Sequence, residues 1–345
     1  MPRGGAHFGT QELIKVLSCY DIDPVVDVKP LSTGNRKAPK LILICENDKY
    51  LLKRRSPGKD DLYRVAFAHA VQEYLYQKKY PVCSLVPTHG GKVTVLGLKD
   101  KTYELFGYVD GGVRYDGSRE ATFDAGRKLA LMHKLLADFV SGFKPLRGIF
   151  HDSTLVRRHL KSIGQSSDSN GNGRLMKLSD ELMIIYNKAS TRVNELGFDS
   201  WAEQVIHGDW HPGNILFKDK KIIAVLDFDS VRYAPPVIDL ANGLLQFSIV
   251  SGRPNPAEWP AYCDHNKLVR FFSGYTVIMS LEQNKVLSLV DLMIETMIAE
   301  AVLPVAATGY FENLAGFDFL KMIRRKTKWL DKNRNKLYKA IRNKL

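Results

Sequence analysis

The chain has few of the features that mark secreted or membrane-spanning proteins. Its four cysteines are scattered over 345 residues without the spacing of a disulfide framework or a metal site. The longest weakly polar stretch, residues 237–250, is too short to cross a bilayer and is interrupted by polar side chains. The first residues also lack an apolar signal segment. These absences predict a reduced, cytoplasmic protein without a transmembrane segment.

Net positive charge is small over most of the chain and concentrated near its end. Residues 321–345 contain eleven lysines and arginines against one aspartate, and so supply ten of the thirteen net positive charges. Apolar residues recur in this segment at helical spacing, which predicts a basic amphipathic helix over 316–345. Such a helix usually docks on its own protein, although its basic face could bind an anionic partner such as acidic lipid. Because the rest of the chain is nearly neutral, we do not expect nucleic acid as a partner.

The order of the elements separates strands from helices. Apolar runs broken by turn residues predict two hairpins, over 40–54 and 92–109, with one helix between them that ends before Pro81. The remainder of the chain is mainly helical in its periodicity. Strands first and helices afterwards predict an α+β fold with two lobes. We divide the chain into an N-terminal lobe, 1–109, and a C-terminal lobe, 110–345.

The most informative motif lies in the C-terminal half. Residues 207–214 read His-Gly-Asp-Trp-His-Pro-Gly-Asn, and Leu-Asp-Phe-Asp follows at 226–229. Two apolar runs joined by a polar turn predict a hairpin that returns Asp227 to the end at which Asn214 lies. Phosphoryl transfer from a nucleotide needs a carboxylate that orients the acceptor hydroxyl and oxygen ligands for Mg²⁺. The motif therefore predicts that Asp209 accepts the proton of the acceptor hydroxyl or orients this hydroxyl, and that Asn214 and Asp227 are the magnesium ligands.

In these residues the chain resembles the aminoglycoside phosphotransferase and choline kinase family, including its homoserine kinase-like and spore-coat kinase-like branches. The resemblance implies a bilobal protein-kinase-like fold, with a small β-rich N-terminal lobe and a larger helical C-terminal lobe. It implies that Asp209 is the catalytic base and that Asn214 and Asp227 bind Mg²⁺. It also implies that Asp229 is either a further metal or water ligand or a cap of its loop.

The resemblance extends to residues that support the motif. Asp239, in Pro-Val-Ile-Asp-Leu-Ala, is similar to the family aspartate that braces the catalytic loop through hydrogen bonds. We therefore assign Asp239 a structural role. His207 is also interpreted as a structural residue that fixes the loop. A zinc site is a poor alternative, because His207 and His211 have no third or fourth ligand nearby.

A cation for the nucleotide phosphates is predicted in the N-terminal lobe. Lys53 lies on the second strand of the first hairpin and shares a face with Leu51, whereas Arg54 points the other way. The resemblance to a family strand that ends in Leu-Lys also favours Lys53. The helix that follows contains one glutamate, Glu73, which is our candidate for the ion-pair partner of Lys53.

Two backbone segments complete the predicted nucleotide site. The turn that contains Ser32 and Gly34 could cover the phosphates, although a single glycine is a weak signal. The strand around Phe106 and Tyr108 resembles the connection between the lobes of the family, which implies backbone hydrogen bonds to adenine. With these assignments, 1–109 is the nucleotide-binding lobe and 110–345 the catalytic and acceptor-binding lobe.

The combined motifs predict an ATP-dependent phosphotransferase with Mg²⁺ as cofactor and the hydroxyl of a small molecule as acceptor. The acceptor class is an amino alcohol, an amino sugar or a hydroxy amino acid, and the candidates to bind it, by their position, are Trp210, Tyr233, Glu295 and Glu300. One alternative is a Ser/Thr protein kinase, against which Asp229 replaces the glycine of Asp-Phe-Gly. The other is a nucleotide-binding adaptor that acts through the basic helix. The sequence leaves ATP and GTP unresolved.

Overall fold

The computed structural model describes residues 7–31, 38–91, 93–143, 148–165, 173–250, 252 and 254–343. The strands of the described residues are β1 Val25–Pro30, β2 Lys40–Cys45, β3 Lys49–Arg54, β4 Val95–Leu98, β5 Lys101–Gly107, β6 Gln204–Ile206, β7 Ile215–Lys218, β8 Lys221–Val225, β9 Arg232–Ala234, β10 Tyr310–Phe311 and β11 Leu314–Ala315. The helices are α1 Thr10–Leu17, α2 Leu62–Gln77, α3 Arg119–Leu136, α4 Thr154–Gln165, α5 Arg174–Glu195, α6 Val237–Ser248, α7 His265–Thr276, α8 Gln283–Thr308 and α9 Gly316–Arg342. None of these helices combines the length and apolarity needed to cross a membrane.

The chain folds as two compact units. We call the first the sheet unit; it comprises Met1–Arg114, Leu135–Leu146 and Gly213–Arg232. We call the second the helical unit; it comprises Tyr115–Lys134, Arg147–Pro212 and Tyr233–Leu345. The hairpin of the predicted metal loop is therefore part of the sheet unit, although it lies more than a hundred residues beyond the first segment of that unit. Nucleotide binding by 1–109 and acceptor binding by 110–345 remain predictions.

The sheet unit is built on one antiparallel sheet with the strand order β1-β2-β3-β5-β4. Successive side chains of each strand point to opposite faces of this sheet. One face packs on α1 and buries Leu43, Leu52, Tyr103 and Leu105 against Val16. The residues next to these in each strand, such as Lys53 and Glu104, therefore lie on the other face.

The hairpin β7–β8 is attached to the sheet unit by backbone hydrogen bonds. The amide of Val225 donates to the carbonyl oxygen of Pro81 at 2.8 Å, and Phe217 exchanges hydrogen bonds with Val113. Its turn residues Asp219 and Lys220 have φ of 49° and 62°. Two such residues are typical of the two-residue turn that matches the twist of a hairpin.

In the helical unit, α8 is buried over most of its length and packs against α4, α5, α6 and α9. The helices α3 and α7 approach so closely that glycine is required at their contact. A Cβ on Gly126 would lie 1.9 Å from the carbonyl oxygen of Phe271, and one on Gly274 would lie 2.0 Å from that of Phe123. Both distances are far below van der Waals contact, so a larger residue at either position would force the helices apart.

The basic helix α9 docks on the helical unit. Lys326 is fully buried, and its ammonium group donates to the carbonyl oxygens of Val250 at 2.9 Å and Pro260 at 2.6 Å. Arg325 donates to the carbonyl oxygens of Pro256, Ala257 and Trp259. Arg325 and Lys326 therefore donate hydrogen bonds to backbone carbonyl oxygens between Val250 and Pro260. An anionic partner for the exposed basic residues remains a prediction.

Two parts of the helical pattern differ from the sequence-based expectation. The periodicity predicts one long helical stretch over 257–300, but the chain forms α7 and α8 with a connection at 277–282. The helix α7 begins at His265 because the carboxylate of Asp264 accepts hydrogen bonds from the next turn. The helix α4 was not predicted, although its burial of Val156, Leu160 and Ile163 follows a helical spacing.

We predict that Lys326→Met destabilises the protein by roughly 2–3 kcal/mol, because two carbonyl oxygens lose their donor while the apolar stem is kept. Urea unfolding followed by circular dichroism measures this change. The matched control is Lys332→Met, at an exposed lysine of the same helix, which is expected to change stability by less than about 0.5 kcal/mol. Equal midpoints for the two variants would show that these hydrogen bonds contribute nothing.

Candidate functional site

The hairpin brings Asn214 and Asp227 to the same end, as its register requires. Ile215 lies opposite Val225 at this end of the ladder. One residue further on, the amide of Leu226 donates to the carbonyl oxygen of Asn214 at 2.8 Å. This hydrogen bond joins the predicted ligand Asn214 to the residue before Asp227, although twelve residues separate the two ligands in the chain.

Asp227 adopts a backbone conformation that residues with a side chain rarely occupy. Its φ of 59° and ψ of 67° are left-handed, a conformation that costs energy for most residues with a side chain and that aspartate adopts more readily than most. Strain of this kind is often found at functional sites. Burial raises the pKa of its carboxyl group, but the Lys53 and Lys40 ammonium groups outweigh it and lower this pKa to about 2. Asp227 is therefore ionised at neutral pH.

The donor set suits Mg²⁺ rather than a metal that prefers nitrogen or sulfur. The side chains of Asn214 and Asp227 offer an amide oxygen and a carboxylate, and Mg²⁺ is usually held by one or two such groups together with phosphates and water. The described part of the chain contains no group of three or more His, Cys, Asp and Glu side chains arranged for a metal ion. The residues present therefore fit a magnesium ion that shares its coordination with a phosphate ligand.

Lys53 lies among three carboxylates of the sheet unit. Its ammonium nitrogen is 3.1 Å from Asp229 Oδ1, 3.5 Å from Asp227 Oδ1 and 3.8 Å from Glu104 Oε2. Burial alone would lower the pKa of Lys53, but these carboxylates raise it above the usual value. Lys53 therefore carries a positive charge next to the metal loop. Asp229 is held here by ion pairs with Lys53 and Arg55, and its role as a metal ligand remains a prediction.

The carboxylate that positions Lys53 comes from β5 and not from α2. Glu104 lies directly opposite Lys53 in the β3–β5 ladder and is 1% exposed. The expected Lys53–Glu73 pair is wrong, because Glu73 lies on the helix and accepts a hydrogen bond from Gln77 instead. A signal for Glu104 was present in the sequence, since it is the one charged residue inside an apolar strand. That strand was assigned only to the connection between the lobes.

Glu104 is held by two further side chains. Arg55 donates through Nε and Nη2 to both carboxylate oxygens, at 2.8 and 2.7 Å. His69 Nε2 lies 2.8 Å from Oε1, and its other ring nitrogen contacts Thr94. Burial raises the pKa of Glu104, but Lys53, His69 and Arg55 lower it well below the usual value. Neither Arg55 nor His69 was singled out from the sequence.

The predicted adenine-binding strand has fewer free donors than expected. The amide of Gly107 donates to the carbonyl oxygen of Ser84, and that of Tyr108 donates to Lys49, both at 3.0 Å. Phe106 lies opposite Leu51 in the sheet. Hydrogen bonds to adenine around Phe106 and Tyr108 must therefore use carbonyl oxygens or later amides. The predicted phosphate-covering residues Ser32 and Gly34 lie outside the described residues.

In the helical unit, a buried carboxylate braces the loop that carries Asp209. Asp239 is fully buried and accepts hydrogen bonds from the backbone amides of His207 at 2.7 Å and Gly208 at 2.8 Å. Its Oδ2 also lies 3.3 Å from His133 Nε2. Gly208 has φ of 76°, a left-handed conformation that glycine adopts without strain. The backbone is thus fixed immediately before Asp209.

Asp209 itself remains accessible. Its side chain is 39% exposed, and its Oδ2 lies 3.6 Å from His211 Nε2. The neighbouring Trp210 is fully buried and packs beside His207 and Gly243. Trp210 therefore packs on the loop, and its ring is not exposed for contact with an acceptor.

The two candidate acceptor glutamates differ in their surroundings. Glu295 is buried, and its carboxylate contacts His151 Nδ1 and accepts the amide of Asp152; it is therefore a structural residue. Glu300 is only half-buried. One of its oxygens accepts from Gln246 Nε2 at 2.7 Å, and the other takes no hydrogen bond from any residue that the structure describes. Burial, together with the carboxylate of Asp209, raises the pKa of Glu300 to about 7.

Comparison with known proteins gives the same fold and one family. Residues 27–272 match the family model described as the phosphotransferase enzyme family, APH. No curated protein matches the sequence. An amicoumacin kinase in complex with AMP-PNP, Ca²⁺ and Ami is structurally similar, with a TM-score of 0.69, 17% identity and coverage of 94% of both chains.

Two further solved structures are kinases of small alcohols. A microcompartment-associated aminopropanol kinase has a TM-score of 0.69 and 12% identity, and the match covers 95% of this chain and 98% of that one. A choline kinase from Streptococcus pneumoniae has a TM-score of 0.60 and 14% identity, with coverage of 93% and 97%. At these identities the structures establish the fold alone, which is the predicted α+β, protein-kinase-like fold. The family model covers most of the sequence and confirms the predicted enzyme class, a kinase. The chain belongs to the phosphotransferase enzyme family.

Proposed function

We propose that the protein transfers the γ-phosphoryl group of ATP to a hydroxyl group of a small molecule that carries a cationic nitrogen. The observation that carries this proposal is the metal loop of the sheet unit. There, the ionised and strained Asp227 lies beside Asn214 and within 3.5 Å of the Lys53 ammonium group. A cation next to a magnesium-binding carboxylate is the arrangement that holds a metal-bound polyphosphate.

The residues of the sheet unit act on the donor. Lys53 binds the phosphate groups, and Glu104 keeps its ammonium group in place. Asn214 and Asp227 would hold a magnesium ion, which would neutralise charge on the phosphate oxygens. Asp229 stays close to Lys53 and would act either as a further metal or water ligand or as a cap of its loop. ATP rather than GTP is supported by the AMP-PNP complex of the related amicoumacin kinase.

Asp209 acts on the acceptor. Its carboxylate accepts a hydrogen bond from the acceptor hydroxyl and takes its proton as the new oxygen–phosphorus bond forms, while ADP leaves. Asp239 contributes through the loop, because its two backbone hydrogen bonds fix the residues before Asp209. Orientation of this kind lowers the barrier even if the proton moves late in the reaction.

Glu300 supplies the acceptor specificity in this proposal. Its carboxylate is close enough to Asp209 for the two charges to interact, and one oxygen is available to a ligand. A cationic nitrogen of the acceptor would bind this oxygen while the hydroxyl reaches Asp209. The related structures include kinases of aminopropanol and choline, which are alcohols with a cationic nitrogen. A protein substrate has no comparable support.

We predict that Asp209→Asn lowers kcat by about 10²–10⁴, because the amide cannot accept the proton. ADP release measured with a panel of amino alcohols tests this. Binding of Mg-ATP, followed by the rise in melting temperature, is expected to be unchanged. Asp180→Asn, at an exposed aspartate of α5, is the control. A kcat for Asp209→Asn within a few-fold of the wild type would remove Asp209 from the mechanism.

We predict that Glu300→Gln raises KM for a cationic acceptor by roughly 10–100-fold, the value of one charge-assisted contact. The kcat at saturation should change much less, because Asp209 is intact. A neutral alcohol of the same length serves as the control, and its KM should be similar in the two proteins. Equal loss for both alcohols would mean that Glu300 supports the fold and does not recognise charge.

The pH dependence gives an independent test of Glu300. A raised pKa of about 7 means that the carboxyl group is largely protonated at pH 6 and ionised at pH 8. Since only the ionised form attracts a cation, kcat/KM for a cationic acceptor should rise between these values in the wild type. This rise should be absent from Glu300→Gln. A rise of the same size in both proteins would assign it to another group.

A further inference from the structure

Two lysines lie side by side on the sheet next to the metal loop. Lys40 is directly opposite Lys53 in the β2–β3 ladder, as Leu41 is opposite Leu52. Leu52 faces the core formed with α1, so the alternation of the strands places both lysines on the other face. Like charges directly opposite each other destabilise a sheet. The free protein therefore has a repulsive pair at this position.

The surroundings of Lys40 do not compensate for this repulsion. Its side chain is half-buried, and it takes part in no hydrogen bond or ion pair among the described residues. Burial and the Lys53 charge lower the pKa of Lys40, and the more distant carboxylates of Asp227, Asp229 and Glu104 offset this only in part. A partly desolvated ammonium group without a close partner is costly. An anionic ligand would remove that cost.

The charges around the lysine pair also indicate the kind of ligand. The cluster consists of three cations and three carboxylates: Lys40, Lys53, Arg55, Glu104, Asp227 and Asp229. It is therefore neutral without a metal. A divalent ion on Asp227 would give it a charge of about +2, which favours an anion with several charges. A nucleoside triphosphate or diphosphate meets this requirement, whereas a monophosphate reaches fewer of the cations.

We propose that Lys40 is a second phosphate-binding residue of the donor site and binds, together with Lys53, the polyphosphate chain of the nucleotide. This inference rests on the proposed function, because it assumes that the site takes Mg-ATP. Lys53 has three carboxylates to hold it, whereas Lys40 has none within ion-pair distance in the described chain. Lys40 is thus the cation whose contacts are completed by the ligand.

The test compares Lys40→Met with the wild type in two measurements. The first is the affinity for ATP, ADP and AMP in the presence of Mg²⁺, by calorimetry. We expect affinity for ATP and ADP to fall roughly 10–100-fold and that for AMP to change less than about threefold. The second is the melting temperature of the free protein, which should stay the same or rise because the repulsion between the lysines is removed.

Two further variants complete the design. Lys40→Arg keeps the charge and should retain ATP affinity within a few-fold. Lys15→Met removes an exposed lysine from α1, on the opposite face of the sheet, and should change neither measurement. Lower stability of the free Lys40→Met protein together with weaker binding would assign Lys40 a structural role and overturn the proposal.

The outcomes separate this inference from the proposed function. If the wild-type protein binds no Mg-nucleotide, the proposed function itself fails. If the wild-type protein binds Mg-ATP and Lys40→Met binds it equally well, the function stands and Lys40 is not part of the donor site. Equal losses for ATP and AMP would also overturn the proposal, because they would place the effect away from the polyphosphate chain.

Discussion

The sheet unit depends on one buried carboxylate. Glu104 is almost completely removed from water, which would be costly for an isolated charge, but Lys53, Arg55 and His69 all contact it. In return it holds two cations that would otherwise repel each other beside the metal loop. Removal of the carboxylate would leave those cations buried without compensation, and this usually costs more than the ion pair contributes. The position of Lys53 is therefore a consequence of where Glu104 lies.

Asp239 has the corresponding role in the helical unit. It accepts hydrogen bonds from the backbone amides of His207 and Gly208. Without Asp239, each of these amides would lose its hydrogen-bond acceptor. In both units a buried carboxylate fixes a neighbouring part of the proposed site, whereas the two carboxylates that we propose to act, Asp227 and Asp209, remain partly exposed. Rigid support next to an accessible reactive group is the general requirement for precise orientation.

The parts of the site that the sequence predicted are those that depend on local structure. Asn214 and Asp227 are joined by a short hairpin, whose turn and apolar runs can be read directly from the sequence. Glu104 depends instead on the register between β3 and β5, about fifty residues apart, and that register is set by packing of the opposite sheet face on α1. Helix boundaries near α7 depended on the cap at Asp264, a weaker signal than periodicity.

The proposed donor and acceptor sites differ in how many of their groups are in position before a ligand binds. In the sheet unit the chain holds a left-handed aspartate, Asp227, and two opposed lysines, Lys40 and Lys53. Under the proposed function a nucleotide would meet groups that are already in position, which lowers the entropic cost of binding. In the helical unit, one oxygen of Glu300 takes no hydrogen bond from the residues that the structure describes, and a single carboxylate can select for a cation but not for the shape around it. Because one charge-assisted contact discriminates by about 10–100-fold, the acceptor that we propose is a class of cationic alcohols and not one unique compound.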